Sequence, residues 1–198
     1  YGEILSEVSN ENQEEIATIL EQTEKLDFLI QSLVKLSRME SGIIAVHSED
    51  TTIKQMLESI QQQFNVKVRE KNITLSLCDT DLHIRCDSKW TVEALGNIVD
   101  NAIKYTACGG NVQIKVEQYS FFVKIDIIDD GIGIEKEEIP KIFGRFYRSL
   151  SVADQPGVGI GLFLAREIIQ AQKGYIKVTS KRGKGSTFSV FLPIAKKE

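Results

Sequence analysis

One stretch of the chain places polar side chains at a spacing that suits binding of a hard cation. Glu93, Asn97 and Asn101 are four residues apart, so in a helix they share one face, which Lys104 joins within a turn. Helix interiors do not favour asparagine, so two on one face need a reason. Amide oxygens ligate Mg²⁺, and the lysine would then direct a positive charge toward a phosphate. A solvated polar face explains the stretch NIVDN (97–101) equally well.

Two adjacent aspartates end an alternating apolar run, KIDIIDDGIG (124–133). Because alternate residues of a strand face opposite sides, Asp129 shares a face with isoleucines and Asp130 points the other way. Gly131 and Gly133 have no Cβ and let backbone and ligand approach closely. A carboxylate at the end of an apolar row predicts an acceptor for a planar polar ligand, such as an adenine amino group. Alone, DDGIG also indicates an ordinary turn.

Alternating glycines in GVGIGLFLAREI (157–168) lead directly into a helix. Free N–H groups and the helix dipole make such an end a site for anions. The pattern is neither a P-loop nor a dinucleotide fingerprint. The segment before it, 141–156, holds aromatic and basic residues, namely Phe143, Arg145, Phe146, Tyr147 and Arg148. Aromatic anchors, two arginines and glycine hinges together predict a lid that folds over a phosphate tail.

The elements that must position these residues are interleaved helices and strands. An amphipathic helix after residue 50 has Asp50 or Thr51 as its predicted cap. ITLSLC and LHIRC alternate as strands joined by the turn DTD, and a helix covers about 90–105. NVQIKVEQ and FFVKIDIID predict a hairpin, and YIKVTS and STFSVFLPI are two closing strands. Without regular strand–helix alternation, a two-layer α/β fold with a mixed or antiparallel sheet is favoured over a doubly wound one.

The front of the chain has a different pattern. From about residue 12 to 40 it is helical without Gly or Pro, and Gly42 is its predicted C-cap. A heptad seam is formed by Ile16, Ile19, Thr23, Leu26, Ile30 and Leu33, and it is widened by Leu20, Leu29 and Leu36. YGEILSEV reads as the end of a preceding helix and SNENQ as the connecting turn. We therefore expect a partial helical hairpin at 1–43, completed into a bundle by a second copy, and a separate domain at 44–198.

Composition excludes several classes of function. The net charge of −4 and pI near 5.4 argue against a surface for nucleic acid or anionic membrane. The sequence has no bilayer-length apolar run and no signal peptide, and it does not begin with Met, which suggests a piece of a longer protein. Cys78, Cys86 and Cys108 lack ligand spacing, and their odd count predicts reduced thiols. His47 and His83 are expected to be surface residues, not metal ligands.

Five motifs in order carry a resemblance: NIVDNAIKYT, DDGIGI, IFGRFYRS, GVGIGL and GKGSTF. Together they closely resemble the ATP-binding domain of sensor histidine kinases, which belong with the gyrase, chaperone and mismatch-repair ATPases of the GHKL superfamily. The match spans about 50–194, and LDFLIQSLVKLSRMESG (26–42) is similar to the second helix of the family's dimerisation domain. The resemblance implies a Bergerat-type α/β two-layer sandwich with a mixed sheet, helices on one face, and ATP beneath a flexible lid.

Carried over by position, the resemblance implies roles for individual residues. Asn97, Asn101 and Lys104 would be catalytic, with Asn101 ligating Mg²⁺. Asp129, the first residue of D-x-G-x-G, would receive the adenine amino group, whereas Asp130 falls on the variable position. The implied ATP-binding set is Asn97, Asn101, Lys104, Tyr105, Asp129, Gly131, Gly133, Phe146, Arg148, Gly157, Gly159, Gly161, Leu162 and Thr187.

The family's activity is transfer of the ATP γ-phosphoryl group to a histidine, for relay to a response-regulator aspartate. The ATPase relatives carry a glutamate at the position of Asn97, and an amide is a poor base, which favours transfer over hydrolysis. The acceptor motif H-E-[LI]-[RK]-T-P is absent, and neither His47 nor His83 resembles it. The resemblance thus implies a truncated piece that binds Mg·ATP but does not phosphorylate itself on that histidine.

The implied partners are a response-regulator receiver domain and a second copy of the chain, with no nucleic acid. The parent would be a membrane-anchored protein with this part in the cytoplasm. Two alternatives use the same pocket: a non-catalytic nucleotide-binding regulatory module, and a serine kinase of the anti-sigma type. The heptad helix in front of the domain argues against the serine kinase.

Overall fold

The computed structural model describes residues 13–40, 46–149, 152, 155 and 157–194. The chain divides into two compact units, residues 1–45 with 156–158 and residues 46–155 with 159–198. The predicted end of a first helix, the SNENQ turn and the Gly42 cap lie outside the described residues.

Most described residues of the first unit form one long helix, α1 (Gln13–Glu40). This confirms the helix predicted there. Its apolar side chains are largely exposed on the single chain: Ile19 and Leu26 are 59% accessible, Ile30 50% and Leu33 44%. The seam's polar member satisfies itself locally, since the Thr23 hydroxyl donates to the Ile19 carbonyl at 2.8 Å. The predicted seam is therefore an uncovered apolar stripe. Among the described residues no helix is long and apolar enough to cross a membrane.

The described residues of the second unit form three α-helices and two sheets. Its elements are β1 (Glu49–Thr52), α2 (Ile53–Glu70), β2 (Thr74–Leu77), β3 (His83–Cys86), α3 (Ser88–Tyr105), β4 (Asn111–Gln118), β5 (Phe122–Asp129), α4 (Gly161–Ala171), β6 (Tyr175–Ser180) and β7 (Ser186–Pro193). The five-stranded sheet has the order β2-β4-β5-β7-β6, with β2 parallel to β4 and the other pairs antiparallel. The predicted two-layer α/β fold with a mixed sheet is confirmed.

The core lies between one face of this sheet and the helices. In the central strand β5, Val123, Ile125 and Ile127 are fully buried, as are Ile98 of α3 and Ile169 of α4. The strand's other face is more polar, as expected for an antiparallel strand that packs against helices on one side only. This alternation carries directly through to the end of β5, where the two aspartates stand.

One local prediction, the N-terminal cap of α2, is wrong. The cap of α2 is Thr52, whose hydroxyl accepts from the Gln55 N–H, because Asp50 and Thr51 are held in β1 by pairing with β3. The strands predicted on either side of DTD are confirmed as β2 and β3, which do not pair with each other. β3 joins β1 in a separate two-stranded sheet, and β2 joins β4.

A buried amide links α3 to α4. The Gln172 side-chain oxygen accepts from the Asp87 N–H at 2.7 Å, and its amide nitrogen lies 3.2 Å from the Thr91 hydroxyl. Asp87 in turn caps α3 by accepting from the Trp90 N–H. The glutamine thus holds the start of α3 against the end of α4.

Gln172→Leu should lower the free energy of unfolding by about 1–3 kcal/mol, because it leaves buried polar groups of α3 without a partner. Urea denaturation measures the change. Gln170→Leu, at an exposed position of the same helix, is the matched control and should stay within about 0.5 kcal/mol of the parent. Equal losses in the two variants would contradict the link.

Candidate functional site

Asp129 ends β5 on the face that the helices cover. It is 7% exposed, and its Oδ1 accepts hydrogen bonds from the Gly131 N–H at 2.9 Å and the Ser186 N–H at 3.2 Å. Burial raises the pKa of this carboxyl, and the two amide hydrogen bonds oppose that shift. Both hydrogen bonds use Oδ1, which leaves Oδ2 as an acceptor for a ligand.

Asp130 has the opposite environment. It is exposed, and its two carboxylate oxygens accept from the backbone and side-chain N–H groups of Asn111, each at 2.8 Å. These hydrogen bonds lower the pKa of Asp130. The carboxylate therefore ties β5 to the start of β4. The predicted assignment of the two aspartates to opposite faces is confirmed.

The glycine turn after Asp129 is clamped from two sides. A Cβ on Gly131 would lie 2.5 Å from the Tyr105 carbonyl oxygen, and one on Gly133 (φ +67°) would collide with the Lys181 carbonyl. The Ile132 N–H donates to the Tyr105 carbonyl at 3.2 Å. Because both glycines lack a Cβ, the turn fits between the end of α3 and the β6–β7 turn.

The polar face of α3 lies beside the start of α4. The Asn101 amide donates to the Asn97 carbonyl at 3.0 Å, which leaves the Asn101 side-chain oxygen as an acceptor. The side-chain nitrogen of Asn97 is buried and has no acceptor among the described residues. Gly161 packs on this amide, since a Cβ there would lie 3.2 Å from the Asn97 oxygen. A buried donor of this kind is expected to have a partner, which a bound ligand or a water molecule could supply.

The charge of Arg148 acts on Lys104 at the last turn of α3. Burial, and then the charge of Arg148, lower the pKa of Lys104. The Lys104 ammonium lies 4.8 Å from the centre of the Tyr105 ring. Arg148 donates to the carbonyls of Val152 and Gln155. An anion between these cations would relieve their repulsion.

Gly159 of the glycine motif lies next to the segment predicted as a lid. Gly159 (φ +79°) packs on the backbone of the lid, because a Cβ there would lie 2.6 Å from the Tyr147 carbonyl oxygen. Phe146 has a positive φ of +59° and is 55% exposed. The helix that follows begins at Gly161 without a side-chain cap, which leaves its first N–H groups for a ligand, and Leu162 is half-buried in that turn. Gly157 has φ +138°.

The structure does not place Thr187 with Asp129. Thr187 pairs with Ile128, so its side chain points to the opposite face of the sheet. Ser186 pairs with Asp129 and supplies the N–H that binds the carboxylate. The structure therefore places Ser186, and not Thr187, beside Asp129. Sequence reasoning missed it because the register of β5 against β7, between residues 57 positions apart, cannot be read from either strand alone.

Ser180 is a second residue that the sequence did not single out. Its hydroxyl accepts from the Ile134 N–H at 2.8 Å, donates to the Gly185 carbonyl at 2.9 Å, and lies 3.0 Å from the Ser186 hydroxyl. The hydroxyl pair thereby joins the end of the glycine turn to the strand beside Asp129. The described residues thus offer a hydrogen-bond acceptor at the end of β5, and amides, a lysine and an uncapped helix N-terminus along α3 and the start of α4.

Asp129→Asn and Asp130→Asn should change stability in opposite directions. The raised pKa of Asp129 means that the ionised carboxyl costs stability, a cost that grows as pH rises from the unfolded value near 3.8 and is complete above the folded pKa. The lowered pKa of Asp130 gives stability that is present above the unfolded value and lost as pH falls through the folded pKa. Near neutral pH, Asp129→Asn should therefore be the more stable of the two in urea denaturation, with the difference shrinking toward pH 4. The reverse order would show that Asp129 is not desolvated.

Comparison with known proteins identifies the family of this domain. Residues 86–196 match the family described as histidine kinase-, DNA gyrase B- and HSP90-like ATPase. The sensor histidine kinase WalK of Bacillus subtilis is 33% identical over 202 residues, which cover 98% of this chain and 33% of WalK. The sensor protein kinase PmrB of Pseudomonas aeruginosa is 29% identical, with 86% of this chain and 36% of PmrB covered. The chain thus spans about a third of each of these relatives.

Two solved structures share the fold at lower identity. Full-length ShkA in complex with AMPPNP superposes with a TM-score of 0.80 at 21% identity, covering 96% of this chain and 40% of ShkA. The histidine kinase ThkA in complex with the response regulator protein TrrA gives a TM-score of 0.75 at 22% identity, covering 97% and 53%. With the family match over more than half of its length, the chain belongs to the histidine kinase-, DNA gyrase B- and HSP90-like ATPases and is a homologue of sensor histidine kinases.

Proposed function

We propose that this chain is the ATP-binding part of a sensor histidine kinase, in which the γ-phosphoryl group of bound ATP passes to a histidine and then to a response-regulator aspartate. The observation that carries the proposal is the buried Asp129 carboxylate, fixed by two amides through Oδ1 with Oδ2 left over. An adenine amino group is a hydrogen-bond donor that matches this acceptor. The family match and the AMPPNP complex of ShkA support a nucleotide as the ligand.

The phosphate end of the nucleotide would lie along α3 and the start of α4. Lys104 and Arg148 supply positive charge, and the Asn97 side-chain nitrogen supplies a buried donor. The uncapped N-terminus of α4 adds N–H groups and the positive end of its dipole. Tyr105 would lie against the base, next to the turn that its carbonyl holds. Phosphoryl transfer needs mainly such positioning and charge neutralisation.

Mg²⁺ fits the donor set of the same face. The Asn101 side-chain oxygen is an uncharged hard ligand, and its orientation is set by the amide's own hydrogen bond to the Asn97 carbonyl. One or two such ligands suffice, because Mg²⁺ shares its remaining positions with water and phosphates. When bound, the ion would neutralise charge on the phosphates. Asn97 carries an amide where a water-activating base would need a carboxylate, which favours transfer over hydrolysis.

The further partners are also proposals. The exposed apolar stripe of α1 suits a helical bundle shared with a second copy. The ThkA–TrrA complex supports a response-regulator receiver domain as the recipient of the phosphoryl group. The domain division at residues 43 and 44, a membrane-anchored parent and a cytoplasmic location complete the proposal. Phe146 belongs to the proposed lid over the phosphates.

Calorimetric titration with Mg·ATP tests the pocket. The unmutated chain should bind near the micromolar range, about −8 kcal/mol. Asp129→Asn should weaken binding by about ten- to a hundredfold, because a charge-assisted hydrogen bond is lost, whereas Asp130→Asn should bind like the parent. In EDTA, affinity for ATP should fall in the parent and change little further in Asn101→Leu. Absence of binding by the parent, or equal losses at both aspartates, would contradict the assignment.

Phosphotransfer tests the activity. After incubation with γ-labelled ATP, this chain should carry no phosphohistidine at His47 or His83, whereas a longer protein that also contains the H-E-[LI]-[RK]-T-P helix should carry acid-labile label. Asp129→Asn in the longer protein should abolish the label. Acid-stable label on a serine would favour the anti-sigma type of kinase, and nucleotide binding without any transfer would favour a regulatory module.

A further inference from the structure

We propose that Lys71 is a positioning residue for the nucleotide site. Its ammonium fixes the C-terminal end of α3, and with it the Tyr105 carbonyl that accepts a hydrogen bond from the glycine turn. The role deepens the proposed function, on which it depends. Lys71 lies in the turn between α2 and β2, outside residues 86–196 that match the family.

The Lys71 ammonium makes three hydrogen bonds, as many as it has N–H donors. Lys71 Nζ donates to three backbone carbonyls at the end of α3, those of Ile103 at 2.9 Å, Lys104 at 2.9 Å and Thr106 at 3.0 Å. The last carbonyls of a helix have no partner within it, and a cation there also interacts favourably with the helix dipole. One half-buried side chain therefore satisfies three acceptors that would otherwise need water.

The fourth carbonyl of this group connects the anchor to the site. Tyr105 lies between the residues that Lys71 holds, and its carbonyl accepts from the Ile132 N–H at 3.2 Å. Gly131 fits beneath the same carbonyl and donates its own N–H to Asp129. A shift of the Tyr105 carbonyl would therefore move the turn that fixes the buried carboxylate. It would also move the side chains of Lys104 and Tyr105 on the same helical turn.

The position of Lys71 is itself fixed by backbone pairing. Its carbonyl accepts from the Gly109 N–H at 3.0 Å, and the Thr74 N–H donates to the Gly110 carbonyl at 2.9 Å. The turn and the loop after α3 are thus joined by two hydrogen bonds that need no side chain. Removal of the ammonium should leave this joint in place and release the three carbonyls, which separates the anchor from the fold of the turn.

Lys67 provides a matched control. It projects from the last turn of α2, four residues before Lys71, and also reaches α3, since its Nζ lies 2.6 Å from the Asp100 carboxylate. Both of these side chains are substantially exposed, 59% and 42%, so the ion pair contributes little. Lys67→Met also removes one positive charge and one contact with α3, but it leaves the backbone carbonyls at the end of α3 untouched.

The test combines calorimetric titration of Mg·ATP with hydrogen exchange of single amides measured by NMR. In Lys71→Met, the Ile132 N–H should exchange at least tenfold faster than in the parent, and the Kd for Mg·ATP should rise at least tenfold. Lys71→Arg retains donors and should keep the Kd within about threefold, and Lys67→Met should change neither quantity by more than about twofold. Circular dichroism confirms that each variant is folded, and Lys71→Gln serves if Lys71→Met is not.

Two results would overturn the positioning role: unchanged exchange at Ile132 in Lys71→Met, or faster exchange together with an unchanged Kd. Loss of thermal stability with both quantities unchanged would reduce Lys71 to a helix cap. The exchange measurement needs no nucleotide. If the parent chain failed to bind Mg·ATP, the proposed function would fail and the nucleotide-positioning role with it. The exchange data would still decide separately whether Lys71 holds the turn.

Discussion

The site depends on keeping an ionisable carboxylate away from water. Asp129 can be buried only because two backbone N–H groups meet its Oδ1, and those groups come from the turn after β5 and from the first residue of β7. The register of β5 against β7 and the absence of a Cβ at Gly131 are both conditions for that arrangement. Burial still raises the pKa of the carboxyl, so the arrangement favours a ligand that donates to the second oxygen.

Local pattern was enough to predict some of these features. The alternation of β5 placed Asp129 inside and Asp130 outside, and the spacing of Asn97 and Asn101 placed both on one face of α3. The order of motifs then identified the fold. These predictions concern residues within one element or one turn, where geometry follows directly from period.

The features that sequence did not reveal depend on distant pairing. Ser186 was missed in favour of Thr187 because a shift of one residue in strand register reverses the face of every side chain. The sequence also did not indicate that β2 pairs with β4, because β3 follows β2 in the chain and has a similar pattern. Lys71 is separated by 32–35 residues from the carbonyls that it holds, and nothing in the sequence around it marks a cap for another helix.

Most of the polar groups at the two ends of α3 are satisfied within the chain: Asp87 and Gln172 hold its start, and Lys71 and Ile132 hold its end. Two side chains between these ends have unfavourable surroundings among the described residues. The Asn97 side-chain nitrogen is buried without an acceptor among the described residues, and burial, followed by the charge of Arg148, lowers the pKa of Lys104. Features of this kind are expected where a ligand binds, although Thr106, Asp126 and Arg166 also have a buried side-chain atom without a hydrogen-bond partner among the described residues. A polyanion beside α3 would suit both features, and a nucleoside triphosphate combines such an anion with a hydrogen-bond donor that matches the acceptor of Asp129.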